Sequence, residues 1–136
     1  SLTLRTFVLQ SKQKLKDKLE LYLKNDSIGM TKDQYLRMVE QTGEEIDWDR
    51  CPPEMEDFPN SVHIAMNIYN SLGDRIYPDV GFTGKDFTNL SLLYDNYYIE
   101  EYEKDWIFEL LLFLDSNNIK ESQKRIKSEI DRIKRK

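Results

Sequence analysis

Apolar residues recur along most of this chain at three- and four-residue steps, the spacing of one buried face on an α-helix. Leu4, Val8, Leu15, Leu19 and Tyr22 follow that rule, with Ser11 filling the gap, and predict a first helix over about Leu4 to Lys24. Its opening, Leu2 to Leu9, is rich enough in Thr, Phe and Val to read alternatively as a short strand. Thr31 followed by Gln34 forms a capping box, so a second helix starts there, buries Tyr35, Leu36, Met38 and Val39, and ends at Gly43.

The periodicity fails from Glu44 to Asp57, where Pro52 and Pro53 remove two backbone donors and exclude a helix interior. Trp48, Met55 and Phe58 are expected to pin this connection down. Asp57 as N-cap and Pro59 in the first turn then predict a third helix carrying Phe58, Val62, Ala65, Tyr69 and Leu72, widened by Ile64 and Ile68 and closed by Gly73. Arg75 to Lys85, with Pro78, Gly81 and Gly84, reads as an ordered loop or a small hairpin. Asp86 caps a helix bearing Phe87, Leu90, Leu93, Tyr94 and Tyr97. Tyr102 to Asp115 is apolar over most of its circumference and should be deeply buried. Ile119, Ile126, Ile130 and Ile133 continue a helical pattern, but the five-residue step from Leu114 to Ile119 puts the two stripes out of phase and predicts a break near Asn117 and Asn118. The fold class expected is all-α: a compact single-domain bundle of about five to six helices with one or two ordered loops. A length of 136 residues suits one core.

Charge divides this single domain into three zones. Residues 1–26 hold six basic against three acidic side chains, and residues 119–136 hold eight against three. The formal net charge is −5, so the middle carries −13. A basic helix of about 4–24 and another of about 119–135 thus flank an acidic body of about 31–115. Such polarity can hold the ends on the body or steer a charged partner, and salt weakens both effects.

The motifs for chemistry are incomplete. One Cys and one His leave Cys51 with His63 as the sole dyad candidate, and nothing in the sequence joins them. Gly81, Gly84 and Lys85 resemble part of a phosphate loop, but Asp79 stands where another glycine is needed, and Asp86 replaces the Ser or Thr. Asp47 and Asp49 open like a calcium loop that Pro52 and Phe58 then spoil at its sixth and twelfth positions. No catalytic residue, cofactor site or metal site is assigned, and the chain is read as no enzyme. No apolar run reaches the roughly 18 to 20 residues of a membrane span, and Ser1 to Gln10 lacks a signal-peptide core, so neither membrane insertion nor secretion is expected.

What remains are surfaces. Tyr94, Tyr97, Tyr98 and Tyr102 lie among Asp95, Glu100, Glu101 and Glu103. Tyrosine suits protein interfaces, whereas the carboxylates disfavour phosphate backbones. Tyr94 and Tyr97 fit the buried stripe, which leaves Tyr98 and Tyr102, with Glu100 and Glu101, as a candidate protein-binding surface. Asp47, Asp49, Glu54 and Glu56 form a second acidic candidate. The alternative, nucleic-acid binding or regulation, uses Lys120, Lys124, Arg125, Lys127, Arg132, Lys134 and Arg135, with Lys136 beyond them. Those cations lie over an isoleucine seam that could dock on the acidic body, on helix one, or on a second copy as a short coiled coil. A further variant makes the acidic body a nucleic-acid mimic.

The string from Met30 through Tyr35, Glu40-Gln41-Thr42-Gly43, Cys51-Pro52-Pro53, Glu56-Asp57-Phe58-Pro59, Ile68-Tyr69-Asn70 and Gly84-Lys85-Asp86 resembles small uncharacterised proteins of tailed bacteriophages over about residues 30–115. The resemblance implies a phage protein made in a bacterial host cytoplasm, where a lone unpaired cysteine is unremarkable, possessing a phage or host protein partner and serving as assembly factor, virion component or modulator of host machinery.

Overall fold

The computed structural model describes residues 2–135, apart from the side chains of residue 2 and residues 25–28; Lys136 of the basic end and the Asp26 side chain of the first charge zone lie outside the described residues. The described residues form five α-helices and an antiparallel pair of strands: α1 (Leu2–Ile28), α2 (Lys32–Thr42), α3 (Asn60–Ser71), β1 (Asp74–Tyr77), β2 (Gly81–Lys85), α4 (Leu90–Asn96) and α5 (Lys104–Lys134). The class is therefore α+β, which corrects the all-α expectation. Two compact units divide the chain, residues 1–59 and residues 60–136.

In the first unit α1 is helical from Leu2, so its Thr- and Val-containing start is not a strand. Leu4 and Val8 are exposed, and burial begins further along, at Leu19. The capping box at α2 forms as expected: Gln34 N–H donates to Thr31 Oγ1 at 3.2 Å and Thr31 N–H donates to Gln34 Oε1 at 2.9 Å. Gly43 closes the helix at φ 71. Tyr35, Val39 and Cys51 make a small core with Leu36 against it. Trp48 does not pin the connection, being exposed, but Phe58 does as expected: it is buried together with Cys51 and Pro52 and meets the Tyr22 ring edge-on at 5.7 Å. Asp57 does not cap α3. It ends a 3-10 turn, Met55–Asp57, where its carboxylate accepts from Glu54 N–H at 2.9 Å and pairs with Lys32.

The second unit is built on α5, which packs along both α3 and β2. Val62, Ala65, Ile68 and Tyr69 of α3 are buried, as are Ile107, Leu110, Leu111 and Leu114 of α5. No break occurs at Asn117 and Asn118: α5 runs on for 31 residues. The two stripes differ in phase because they have different partners. At about 100° per residue, Ile119 and Ile126 lie roughly a third to half a turn around from Leu110 and Leu114. The first stripe serves α3 and the second serves β2, so a change of partner within a straight helix produces the five-residue step.

The hairpin pairs Ile76 with Phe82 and Tyr77 with Gly81, then shifts before Asp74 meets Lys85. Arg75 thus stands against both Thr83 and Gly84, a bulge that Thr83 ties with a 3.0 Å hydroxyl bond to Arg75 O. Gly81 at φ +85 and Gly84 at φ +117 admit the helix: a Cβ on Gly81 would sit 2.6 Å from Ile126 Cδ1, and one on Gly84 2.9 Å from Asp115 Oδ2. Gly73 does not take the left-handed conformation expected of a helix-closing glycine. Nor does Asp86 cap α4. Its carboxylate accepts from Thr88 N–H at 2.9 Å and Thr88 Oγ1 at 2.6 Å in the turn before that helix.

Candidate protein-binding surface

The tyrosine-bearing segment is a turn between α4 and α5, and its backbone decides which rings face outward. Tyr97 N–H donates to Leu93 O at 3.0 Å and Ile99 N–H to Tyr94 O at 3.0 Å, closing α4 around Tyr98. Tyr98 itself takes φ 54, a left-handed conformation in which a side chain other than glycine is strained by roughly 1 kcal/mol. Glu101–Glu103 then form a 3-10 turn, with Glu100 N–H donating to Glu103 Oε1 at 3.3 Å.

Four tyrosines separate into two pairs. Tyr94 and Tyr97 are half-buried; Tyr94 Oη donates to Lys104 O at 3.5 Å, its ring lies 5.9 Å from Lys104 Nζ, and burial raises its phenol above the usual range. Tyr98 and Tyr102 are 88% and 84% exposed. Glu100 and Glu101 are exposed beside them in the chain, and Glu101 holds Lys104 at 2.8 Å in a solvent-facing pair. Two aromatic rings and a group of carboxylates thus share one short turn.

Asp47, Asp49, Glu54 and Glu56 are also exposed, but they belong to the first unit. Their loop is held from within. Tyr35 Oη accepts from Asp47 N–H at 3.2 Å and donates to Asp47 O at 3.3 Å, while Asp49 N–H donates to the Asp47 carboxylate at 3.1 Å. Nearby, Glu54 N–H and then the Lys32 ammonium hold the Asp57 carboxyl below its ordinary range. Among the described residues no group of three or more His, Cys, Asp or Glu is placed to hold a metal ion. No helix of the described residues is long and apolar enough to cross a membrane.

Lys120, Lys124, Arg125, Lys127, Arg132, Lys134 and Arg135 are all exposed on α5. By helical period Lys120, Lys124, Lys127, Lys134 and Arg135 form a stripe roughly a third of a turn round from the isoleucines, with Asp131 among them, while Arg125 and Arg132 lie on its far flank. Glu121 and Glu129 pair with Lys124 and Arg132 along the helix.

The residues with weaker chemical motifs have structural roles. Cys51 is buried in the first unit, and burial pushes its thiol up, away from the reactive thiolate; His63 belongs to α3 of the second. Lys85 is part-buried. Its side chain is 12% exposed and bonds Asp74 at 2.6 Å and Leu72 O at 3.1 Å, with the Tyr69 ring 5.0 Å away. Sequence reasoning missed the cluster around it. Asp115 accepts from Tyr69 Oη at 3.0 Å and Lys85 N–H at 2.9 Å, and Asn118 Nδ2 donates to Tyr69 Oη at 3.0 Å. Burial above all holds the Tyr69 phenol well above its usual value. The available signal was an aspartate on the line that joins Leu112 to Ile119 in three- and four-residue steps. These groups bond one another and the backbone, which makes the cluster a clamp between α3, β2 and α5.

Comparison of the chain with protein-family models finds no match, and comparison with curated proteins and with solved structures finds none either.

Proposed function

We propose that this is a non-enzymatic interaction module that docks a protein partner through Tyr98, Tyr102, Glu100 and Glu101. The observation that supports this is Tyr98: its ring is almost fully exposed on a strained backbone, so neither packing nor local conformational preference accounts for a tyrosine there. Exposed tyrosines are efficient anchors, because a large ring with few rotatable bonds loses little entropy on binding. The neighbouring carboxylates select a partner bearing cations and oppose a phosphate backbone. The phage setting, as an assembly factor, virion component or modulator of host machinery in the bacterial cytoplasm, is proposed on the resemblance of residues 30–115 alone.

A photo-reactive phenylalanine analogue placed at Tyr98 and at Tyr102 tests the surface. Irradiation in bacterial lysate at physiological salt should give protein adducts at both positions, and none from the same analogue at exposed Asn67 of α3. Absence of adducts, or equal labelling at Asn67, refutes the reading.

A second reading, nucleic-acid binding through α5, is favoured by the stripe of Lys120, Lys124, Lys127, Lys134 and Arg135 on one helix face. It predicts retardation of duplex DNA that weakens steeply with added salt. Retardation that ignores salt, or none at all, removes it.

A further inference from the structure

One face of α5 carries Phe108, Leu112, Asp115, Ile119, Ser122, Ile126, Ile130 and Ile133 in unbroken three- and four-residue steps. The protein covers this seam in part: Phe87 meets Phe108 edge-on at 6.2 Å, Gly84 receives Ile119 and Asp115, and Gly81 receives Ile126, while Phe108 and Leu112 stay 41% and 46% exposed. The hairpin ends there. Ile130 and Ile133 are 46% and 62% exposed; Lys127 and Lys134 lie beside Ile130 at three- and four-residue steps, with Arg135 further round and Glu129 and Asp131 in the same turns. The last turns of α5 are thus a basic amphipathic helix whose apolar edge continues past its own cover.

The chemistry that complements this end lies at the other end of the same helix. Glu100, Glu101, Glu103 and Asp105 cluster at the start of α5, next to the exposed Tyr98 and Tyr102 rings. A continuous helix of 31 residues is about 45 Å long, so the basic end cannot fold back on the tyrosine turn of its own chain. Tyrosine with a cation over its face already recurs inside this unit, Lys85 on Tyr69 and Lys104 on Tyr94. The same pairing between molecules would join arginine or lysine to the outward rings, carboxylates to the remaining cations, and isoleucine to the ring edges.

We propose that the basic end of α5 docks on the tyrosine turn of a second copy, so that copies join head to tail. The two surfaces are different, so the contact is heterologous, and it grows into chains unless its rotation closes a ring. The proposal rests on Tyr98 and Tyr102 being a binding surface, and it names what binds there.

The full chain tests it by sedimentation velocity over about a hundredfold range of concentration. At low salt, association should grow with concentration, and it should weaken at least about tenfold when salt shortens the screening length to a few ångströms. Two variants then separate the surfaces: the tail reversal Lys127→Glu/Lys134→Glu/Arg135→Glu, and the turn variant Tyr98→Gly/Tyr102→Ser. Each alone should remain monomeric with its circular dichroism intact. Mixed, they should form a one-to-one complex that grows no further, because only one intact tail and one intact turn remain to meet. A monomer at every concentration overturns the proposal, as does a mixture that fails to pair. Association that survives tail reversal but is abolished by reversing Arg5 and Lys14 of α1 also overturns it, as does tail reversal that removes only DNA retardation. Site-specific photo-crosslinking at Tyr98 and Tyr102 in the absence of self-association leaves the binding surface standing with a different partner; loss of both removes the surface as well.

Discussion

Two acidic turns of similar composition are put to different uses. In the loop of residues 44–57, carboxylates and backbone face one another: the Tyr35 hydroxyl bridges Asp47 N–H and O, Asp47 receives Asp49 N–H, and Asp57 receives both Glu54 N–H and Lys32. In the turn of residues 98–103 the internal bonds are made by the backbone, by Glu103 and by the Glu101 pair with Lys104, which leaves Tyr98 and Tyr102 projecting. Density of acidic residues therefore does not distinguish a site from a brace. The distinction lies in what is left over once local hydrogen bonds are satisfied, and the difference can be broken from either side.

The largest stability effect should come from the braced loop. Tyr35→Phe removes a single hydroxyl but leaves Asp47 N–H and O without their partner in a part-buried setting, a loss of about 1 to 2 kcal/mol. Urea unfolding should show the midpoint falling with little change in slope. A midpoint that does not move would mean that water replaces the hydroxyl at no cost and that the loop is not braced.

Tyr98→Gly should act in the opposite direction. A left-handed residue without a Cβ relieves the strain at φ 54, and the lost ring was exposed, so the folded protein should gain up to about 1 kcal/mol while crosslinking and association at the turn decline. Stabilisation together with lost binding is the signature of a residue held for function. Destabilisation would show instead that the ring supports the fold.

Sequence patterns foretold some of these features and were silent on others for physical reasons. The α2 capping box was legible because Thr31 and Gln34 act within one turn. The inward pair Tyr94 and Tyr97 was legible from helical period, which left Tyr98 and Tyr102 as the outward pair. The strained backbone of Tyr98 was not, since tyrosine is an unusual choice for that conformation. The hairpin of β1 and β2 was legible only as one of two readings of residues 75–85, a loop or a small hairpin, because β1 is exposed along its whole length and so has no alternation of buried and open positions to decide between them. Pro78 and the β2 glycines Gly81 and Gly84, by contrast, marked the turn. The continuity of α5 was hidden because a helix with two partners has two stripes. Asp115 was hidden because its partners, Tyr69 and Lys85, are 46 and 30 residues away.

A smaller effect separates the turns by pH. Asp57 has a depressed carboxyl in the folded protein, so its contribution is present above the unfolded carboxylate range, near pH 4, and is lost as pH falls through the lower folded value. Asp57→Asn should therefore narrow the stability difference between pH 7 and pH 3. The group is partly exposed and its Lys32 pair is solvent-screened, which keeps the change modest. Tyr102→Ser in the tyrosine turn removes no carboxylate and should leave that difference as it was, and equal responses in the two variants would erase the contrast between brace and surface.

Tyr102→Ser should have the least effect on the fold and is the cleanest probe of the surface. Tyr102 lies in the 3-10 turn with its side chain 84% exposed, so its removal uncovers little apolar area and leaves the Glu100 to Glu103 bonds in place. Thermal unfolding should stay within about 0.5 kcal/mol of the parent, as expected of an exposed site away from caps and core. Binding should respond far more strongly, because a tyrosine anchor in the centre of an interface commonly contributes about 2 kcal/mol or more, equivalent to at least a tenfold weaker association. Measuring both on one protein preparation gives the ratio that separates the two turns: in the braced loop a lost hydroxyl lowers stability and leaves association unchanged, whereas here a lost ring lowers association and leaves stability unchanged. A Tyr102→Ser protein that associates as tightly as the parent would show that the exposed ring contributes no binding energy, and would leave Tyr98 alone to account for the surface.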